Sequence, residues 1–292
     1  MQVAWILGQA WHITPTHSPK YKESTVKIMT ANELLNRILD LSPWVDREKT
    51  VDKIIDGSPD KELKKIMVVW RCSMDTLDIA IKGNYDGIIV HEPTYYFHEN
   101  EAIQLAALPD GSPKKETAQE KQRMIRDNDL VVIRIHDCWD SRGENGITAS
   151  WAKSLGLSNY VQKAMPPDCE CRYDMAPTTA GALLNTVKEA VGSFQFPEPV
   201  LFGDPNQVVT RVGVGAGCIT NLEQFIKMGC DIAIGCDDGI SYWQDISFAI
   251  DCGLLVIRVS HAAAEEAGIQ ALANWIQEEF DIITMYTQEA RG

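Results

Sequence analysis

Short apolar runs alternate with amphipathic stretches along most of the chain. Runs such as IMVVW, GIIV and IAIG have no polar alternation, and stretches with a helical rhythm, such as MDTLDIAIKG and NLEQFIKMG, stand between them. Strands that are apolar at consecutive positions are typical of sheets covered by helices on both faces. The pattern therefore predicts an α/β fold with largely parallel sheets.

The first predicted helix marks the expected start of the fold. The stretch MTANELLNRILDL begins at Met29, and Thr30 with Glu33 forms a capping box ahead of an apolar helical rhythm. Residues 1–28 are predicted to be a flexible extension. The polar segment PPDCECRYDMAP is interpreted as a linker, so the remainder divides into a first α/β half, residues 29–165, and a second, residues 175–292.

A weak internal repeat supports two related halves. Residues 65–92 align without a gap on residues 211–238, and both copies follow the order strand, helix, strand and polar pair. The alignment places His91–Glu92 on Asp237–Asp238. Each copy therefore ends in ligand-type side chains at the carboxyl edge of a strand, where open α/β sheets place their sites.

Three polar clusters follow predicted strands, in IIVHEP, VIRIHDCWD and VIRVSHAAAEE. Their candidate metal-ligating residues are His91, Glu92, His136, Asp137, Asp140, His261 and Glu265. A helix that begins at Ser260 places His261 and Glu265 four residues apart on one face, where both reach one ion. Imidazole mixed with carboxylate suits Mn, Fe, Zn, Co or Ni, and carboxylates can bridge two ions. The clusters predict a metal site.

The balance of charges excludes some partners. Acidic residues number 41 and basic residues 27, which gives a formal net charge of −14. Nucleic acids and anionic membranes need a cationic surface, so neither is an expected partner. The sequence contains no run of about 18 apolar residues, so no membrane-spanning helix is predicted. The eight cysteines have no regular spacing, and reduced thiols in the cytoplasm are expected.

These motifs resemble the Nif-three-like (NGG-interacting-factor-three-like) family, also called GTP cyclohydrolase I type 2 homologues and described as dinuclear-metal hexameric proteins. GIIVHEP is similar to the family's strand followed by His-His-Pro, HDCWD to its His-Thr-Asn-Leu-Asp segment, and SHAAAEE to its Gly-His-x-x-x-Glu motif. The resemblance extends from about Met29 to the C-terminus. It implies two related three-layer α/β/α halves with a metal site in the cleft between them, and a homohexamer. It also implies two divalent transition metal ions per chain (Mn, Fe, Zn, Co or Ni), with the ligands His91, Glu92, Asp140, His261 and Glu265.

The chain departs from the family pattern at several polar positions. Glu92 replaces the second histidine of the first motif, which favours a harder ion such as Mn or Fe over Zn. Asp237 matches the aspartate of the family's GADVYITGD segment, but Trp243 stands where a histidine follows in the family. The family's strand-end aspartate is replaced around Arg71–Cys72. The resemblance therefore implies a divergent member that retains most of the metal ligands.

Two histidines outside the implied ligand set are candidate catalytic residues. His98 follows His91 by seven positions and is expected to approach the same cleft, either as an acid or base or as a group that supports the metal ligands, with a surface histidine as the alternative. His136 precedes Asp140 and is expected to orient a ligand or the substrate.

Two other motifs invite further interpretations. GVGAG, residues 213–217, follows a strand, but its spacing differs from G-x-G-x-x-G, so close backbone packing explains the glycines better than a dinucleotide site. Cys138 lies near His136, but its acidic neighbours disfavour the thiolate that a cysteine nucleophile requires.

The leading functional hypothesis is a metal-dependent hydrolase that cleaves a C–N or phosphate-type bond of a small molecule by metal-bound hydroxide. The family name implies a nucleotide or heterocyclic substrate, and Arg71, Arg134 and Arg258 are candidate cationic contacts. The alternative is a non-catalytic, ring-shaped metal-binding protein for metal storage, delivery or regulatory protein contacts. A positioned acid or base beyond the metal ligands separates the two hypotheses.

Overall fold

The computed structural model describes residues 29–140, 142–163, 170–192, 196–217 and 220–288. The predicted extension, residues 1–28, lies outside these residues. The strands are β1 (Met29–Thr30), β2 (Lys53–Asp56), β3 (Glu62–Leu63), β4 (Lys65–Val69), β5 (Gly87–Val90), β6 (Val131–Arg134), β7 (Tyr160–Lys163), β8 (Cys171–Thr179), β9 (Val200–Phe202), β10 (Val208–Val214), β11 (Ile232–Cys236), β12 (Leu255–Val259) and β13 (Ile283–Tyr286). The α-helices are α1 (Ala31–Asp40), α2 (Met74–Lys82), α3 (Glu101–Ala107), α4 (Pro113–Asp127), α5 (Asp137–Asp140), α6 (Ile147–Ser154), α7 (Ala180–Gly192), α8 (Leu222–Lys227), α9 (Ser247–Asp251) and α10 (His261–Phe280), and a π-helical turn, Tyr242–Ile246, precedes α9.

The first helix begins where its capping residues predict. The Glu33 amide donates to Thr30 Oγ1 at 3.2 Å, and the Thr30 amide donates to Glu33 Oε2 at 2.9 Å. Each side chain thus satisfies an amide that has no partner within the helix. The predicted capping box is confirmed.

A five-stranded sheet contains four strands of the first half, β2, β4, β5 and β6, together with β13 from near the C-terminus. Its order is β13-β4-β5-β6-β2, in which β2 is antiparallel to β6 and the other neighbours are parallel. Along β4, Ile66 and Val68 join one buried cluster, whereas Met67 and Val69 join another. Successive side chains of a strand point to opposite faces, so both faces of this sheet are apolar and covered. This double cover explains the unbroken apolar runs of the sequence.

A six-stranded sheet follows the order β7-β8-β10-β11-β12-β9, with β10, β11 and β12 parallel. Ile234 of this sheet shares a buried cluster with Ile66 of the first sheet, and Ala233 and Val256 belong to a separate cluster. The largest core therefore contains side chains of both sheets. The predicted α/β class is confirmed.

The interpretation of PPDCECRYDMAP as a linker is wrong for its described part. Residues 171–179 form β8, which pairs antiparallel with β10, placing Tyr173 opposite Val212. Cys171 and Tyr173 are buried, while Arg172 and Asp174 are partly exposed and form an ion pair with a 2.9 Å N–O distance. This alternation is typical of a strand with one covered face, although the composition of the segment resembles a loop.

The two copies of the internal repeat fold alike. β4, α2 and β5 form one parallel strand–helix–strand unit, and β10, α8 and β11 form the other. The register differs by one residue, because Ile66 pairs with Gly87, whereas the aligned Val212 pairs with Ile232 rather than Ala233.

The end of the described chain returns to the first sheet. β13 pairs parallel with β4, with Ile283 opposite Lys65 and Tyr286 opposite Val68. The long helix α10 therefore begins after the carboxyl end of β12 in the six-stranded sheet and is followed by β13 of the five-stranded sheet. No helix of the described residues is long and apolar enough to cross a membrane.

Gly268 is required by the contact between α10 and α6. A Cβ atom at Gly268 lies 2.6 Å from Ile147 Cδ1 and 2.8 Å from Ile147 Cα, and the second atom belongs to the backbone. We expect Gly268→Ala to lower the free energy of unfolding by about 1–3 kcal/mol in urea denaturation, because overpacking outweighs the better helix propensity of alanine. Gly143→Ala is the control, since no described atom lies within 4 Å of its Cβ position. Equal effects of the two substitutions would contradict this account of the packing.

Candidate metal centre

Three segments that follow strands bring their polar side chains together. His91 and Glu92 follow β5, Asp140 ends the short helix α5 after β6, and α10 begins with His261 after β12. Glu265 lies at the centre: its Oε1 is 2.9 Å from His261 Nε2, and its Oε2 is 3.5 Å from His91 Nε2. All five side chains predicted as ligands therefore lie close together in space.

The ring of His91 is oriented for a ligand on Nε2. Its Nδ1 lies 3.0 Å from the carbonyl oxygen of Ile135, and because a carbonyl only accepts, Nδ1 carries the proton. In the neutral ring, the lone pair is then on Nε2. That atom is buried, makes no hydrogen bond to the described residues, and lies 3.3 Å from Asp140 Oδ1.

His261 is held in the same way. Its Nδ1 lies 2.9 Å from Asp238 Oδ2, and its backbone amide donates to Asp237 Oδ1 at 2.9 Å. Its Nε2 is buried without a hydrogen bond to a described residue, and is 3.6 Å from Glu92 Oε1. A carboxylate on the far nitrogen is a common arrangement for histidines that bind metal, since it fixes the ring and increases its basicity.

The internal repeat predicts a polar pair at the end of β11, and this pair, Asp237 and Asp238, contacts His261. Asp237 fixes its backbone and Asp238 its ring. Asp237, which the resemblance places on the family's aspartate, positions a histidine here through the main chain.

Asp140 lies between two imidazoles. Its Oδ1 faces His91 Nε2, while its Oδ2 is 3.2 Å from His136 Nδ1. The rings of His91 and His136 stack at a centroid distance of 4.5 Å and an interplanar angle of 14°. Asp137 Oδ1 is 2.9 Å from the same Nδ1 of His136. His136 thus contacts both acids of α5, and its Nδ1 hydrogen bond is to Asp137.

The donor set fits divalent transition metal ions. Possible ligand atoms of His91, His136 and Asp140 all lie within 4.8 Å of one another, as do those of His91, Glu92 and Glu265. Buried polar atoms without partners are costly unless something binds them. The two buried Nε2 atoms make no hydrogen bond of good geometry and lie beside carboxylate oxygens, an arrangement that suits a bound cation.

The charges of the cluster are strongly coupled. Burial alone lowers the pKa of His91, but Asp140 and Glu265 outweigh it and raise that pKa to about 9. Burial likewise opposes protonation of His261, and Glu265 and Asp238 raise its pKa far above the usual value. Burial raises the pKa of Glu265, yet the imidazoles of His261 and His91 bring it below the ordinary range. Without a cation, protons on the histidines balance the carboxylates.

Metal loading is expected to release protons. Only a neutral imidazole binds metal, and His91, with a pKa of about 9 against the usual 6.5, is protonated at neutral pH. The apparent affinity for metal should fall about tenfold per pH unit for each displaced proton as the pH drops below that pKa. Calorimetric titration with Mn²⁺ in buffers of different ionisation enthalpy measures the proton release on metal binding. Binding heats that do not depend on the buffer would contradict this prediction.

The raised pKa of His91 also affects the stability of the metal-free protein. Its stabilising contribution is fully present below pH 6.5 and is lost as the pH rises through about 9.

Two residues that the sequence did not single out support the cluster. Trp70 donates from Nε1 to Glu265 Oε2 at 2.7 Å. Asp52 is buried and accepts the backbone amides of His136 and Cys138, the second at 2.9 Å. Trp70 directly follows the last apolar residue of β4, which is the one signal in the sequence that places it near the site. Asp52 lies in a polar stretch and has no such signal.

His98 lies at the edge of the site. Its ring is 4.9 Å from that of His136 in an edge-on contact, and its Nδ1 is 3.0 Å from Arg134 Nη2. Since a guanidinium only donates, Nδ1 accepts and Nε2 carries the proton. Partial burial and the charge of Arg134 lower the pKa of His98 to about 4. His98 is thus a neutral hydrogen-bond donor at neutral pH, and its role as an acid or base stays a prediction.

Arg134 is not available to a substrate. Its side chain is fully buried and donates to the carbonyl oxygens of His91 at 2.9 Å and His98 at 2.7 Å. Arg258 stacks over the ring of Phe202, with its Cζ 5.4 Å from the centroid. Of the three cationic candidates, Arg71 lines a cavity beside Glu92.

The glycines of GVGAG have packing roles. A Cβ atom at Gly213 lies 2.3 Å from the ring of Phe225, and one at Gly217 lies 3.4 Å from Glu265 Oε1. Gly217 has a φ of +82°, which favours glycine. Cys138 is buried, and burial raises the pKa of its thiol, so it is a poor nucleophile.

Comparisons with known proteins agree on one family. The family model described as Duf34/NIF3 (NGG1p interacting factor 3) matches residues 29–290. A protein of Haemophilus influenzae named "GTP cyclohydrolase 1 type 2 homolog" is 24% identical over 255 residues, which cover 83% of this chain and 94% of that protein. A protein of the same name from Escherichia coli K12 is 26% identical over 261 residues, which cover 86% and 92%.

Solved structures share the fold. The structure titled "protein ybgI, unknown function" has a TM-score of 0.72 and 24% identity, and covers 89% of this chain and 98% of its own. A Bacillus cereus protein related to NIF3 has a TM-score of 0.72 and 12% identity, covering 90% and 98%. Reduced HcgD from Methanocaldococcus jannaschii has a TM-score of 0.67 and 15% identity, covering 91% and 100%.

Proposed function

Because the chain belongs to the Duf34/NIF3 family, we propose that its strand-end cluster binds two divalent transition metal ions and hydrolyses a small-molecule substrate. The observation that carries the proposal is Glu265, whose two oxygens face the unpaired Nε2 atoms of two different histidines. A carboxylate in that position suits two neighbouring ions.

The donors divide into two groups around Glu265. His91 and Asp140 lie on the side of Oε2, and His261 and Glu92 lie nearer Oε1. The first group would hold one ion and the second the other. Glu92 adds an anionic oxygen donor, which favours Mn or Fe over Zn.

Bound ions of this kind lower the pKa of a water molecule and stabilise negative charge on a substrate. The chain's own groups fix the donors: Asp238 and the Ile135 carbonyl set the two ring tautomers, and Trp70 holds one oxygen of Glu265. His98 presents an Nε2–H donor beside His136, where it would bind an oxygen of the substrate. The name of the bacterial relatives favours a C–N bond in a heterocycle, with a phosphate-type bond as the other hydrolysable class.

Turnover by the loaded protein tests the proposal. Protein reconstituted with Mn²⁺, Fe²⁺ or Zn²⁺ is assayed on cyclic amides, nucleotides and phosphate monoesters, beside the double variant His261→Ala/Glu265→Ala. We expect hydrolysis that depends on the ion and is about 10³-fold slower in the variant, because neither ion retains its ligands. Equal rates would contradict the proposal.

A non-catalytic metal-binding protein is the second candidate. The observation that favours it is Trp243, which stands where the family has a histidine and is 80% exposed on the π-helical turn. It predicts bound ions that exchange readily and no turnover of any substrate in the panel.

We also propose assembly into a homohexamer in the cytoplasm. Large apolar side chains are exposed around the π-helical turn, among them Tyr242 at 61% and Trp243 at 80%. Exposed apolar groups in a cluster are typical of contact surfaces. The molar mass in solution, measured by light scattering, separates six copies from one.

A further inference from the structure

A cavity of about 450 Å³ opens beside the metal centre. Its lining residues are Trp70, Arg71, Ser73, Met74, Glu92, Pro93, Tyr96 and Lys121. It shares two walls with the cluster, since Trp70 donates to Glu265 and Glu92 faces His261. Its volume is in the range of pockets that bind small molecules.

One wall of the cavity is cationic, although the protein as a whole has a net charge of −14. Arg71 directly follows Trp70, and Lys121 reaches the cavity from α4. Lys121 is 3% exposed, and its ammonium donates to the carbonyls of Cys72 at 2.6 Å and Thr94 at 2.9 Å. These carbonyls fix the position of a buried positive charge, which a flexible surface lysine would not offer.

The beginning of α2 adds to this positive wall. Ser73 caps the helix by accepting the Thr76 amide at 3.1 Å, and Met74 is the first helical residue. A helix N-terminus carries a partial positive charge from its aligned peptide dipoles. Here it lies in the same cavity as two cationic side chains.

The cavity also presents an aromatic side chain, Tyr96, next to Lys121. Tyr96 has a φ of +71°, in the left-handed region that residues with a side chain rarely adopt. The residue is 39% exposed, and Lys121 Nζ is 4.5 Å from the ring centroid. Backbone strain of this kind is concentrated at binding sites, where it directs a side chain.

We propose that this cavity is the substrate pocket, and that it binds a planar ring bearing an oxyanion group, phosphate or carboxylate. The oxyanion contacts Arg71 and the N-terminus of α2, the ring packs against Tyr96, and the bond to be cleaved lies toward Glu92. A guanidinium is suited to this contact, because its planar donors match two oxygens of a phosphate or carboxylate. The inference rests on the proposed function, since it names the substrate class of the same site.

Phenylphosphonate tests the pocket, because it combines a ring with an oxyanion and has no ester bond to hydrolyse. Calorimetric titration of the metal-loaded full-length protein compares it with benzoate, which carries the other oxyanion, and with methylphosphonate, which lacks the ring. We expect Arg71→Gln to weaken phenylphosphonate binding about tenfold or more. Arg126→Gln, an equal change of charge at an exposed site on α4, should leave it unchanged. Tighter binding of phenylphosphonate than of benzoate would assign the phosphate class, and the reverse order would assign the carboxylate class.

Variants of Tyr96 test the aromatic wall. Tyr96→Phe keeps the ring and should bind phenylphosphonate as the wild type does, whereas Tyr96→Leu should bind it several-fold more weakly and leave methylphosphonate unaffected. Wild-type affinity in both Arg71→Gln and Tyr96→Leu would show that the phosphonate contacts the ions alone, and would overturn the proposal. The metal content of each sample is measured separately. A protein that takes up no metal contradicts the proposed function, whereas a metal-loaded protein that binds neither phenylphosphonate nor benzoate contradicts only the proposed substrate pocket.

Discussion

Changing Glu265 to glutamine is expected to reduce bound metal from about two ions per chain to less than about half an ion. Glu265 is the only described carboxylate whose two oxygens face both unpaired imidazole nitrogens, at 2.9 Å from His261 and 3.5 Å from His91. Glutamine has the same shape, but its neutral amide is a poor ligand and turns one NH₂ group toward a cation. Both positions should therefore be emptied by one substitution.

Elemental analysis after gel filtration measures this loss. Glu278→Gln removes an equal charge from an exposed position of the same helix and should retain the full metal content. Circular dichroism must show that the Glu265→Gln protein is folded. A folded variant that still holds about two ions per chain would exclude Glu265 as a shared ligand.

Changing Asp52 to alanine is expected to lower the free energy of unfolding by about 3 kcal/mol. The Asp52 carboxylate is 4% exposed and accepts the amides of His136 and Cys138 and the hydroxyl of Thr50, the last at 2.7 Å. Alanine leaves the buried amide of Cys138 and the partly buried amide of His136 without acceptors, and each costs about 1–3 kcal/mol. Because these amides precede Asp140 on the same turn, metal affinity should also fall by about 10–100-fold.

Chemical denaturation of the metal-free protein separates the first effect from metal binding. Asp60→Ala removes an exposed aspartate from the same part of the sequence and should change the free energy of unfolding by less than about 0.5 kcal/mol. Asp52→Asn retains one acceptor oxygen, so its effect should be intermediate. If Asp52→Ala is as stable as Asp60→Ala, the carboxylate does not hold the β6–α5 turn.

The parallel strands and the ligand segments could be predicted because their signals are local. Four consecutive apolar residues before His91 mark a buried strand and its end, and four-residue spacing on a helix brings Glu265 to His261. Parallel strands align their carboxyl ends at one edge, so side chains after separate strands are expected to converge there.

The remaining features depend on contacts between distant residues. Trp70 binds a carboxylate 195 positions away, and Asp52 binds amides more than 80 positions away. The position of Trp70 after β4 places it near the site but does not identify its partner, and no local pattern marks Asp52. β8 was missed because the polar residues of a half-covered strand resemble those of a loop. The pairing of β13 with β4 could not be predicted, because β13 has only four residues and its position in the sheet depends on the partner strand.

The metal content of the wild-type protein tests the central claim most directly. Elemental analysis of the size-fractionated protein, with His261→Ala/Glu265→Ala prepared in parallel, gives the number of ions per chain. The proposed function predicts about two transition metal ions in the wild type, lost in the variant without loss of fold or assembly. A wild-type protein that is metal-free and takes up neither Mn²⁺, Fe²⁺ nor Zn²⁺ would contradict the two-ion centre.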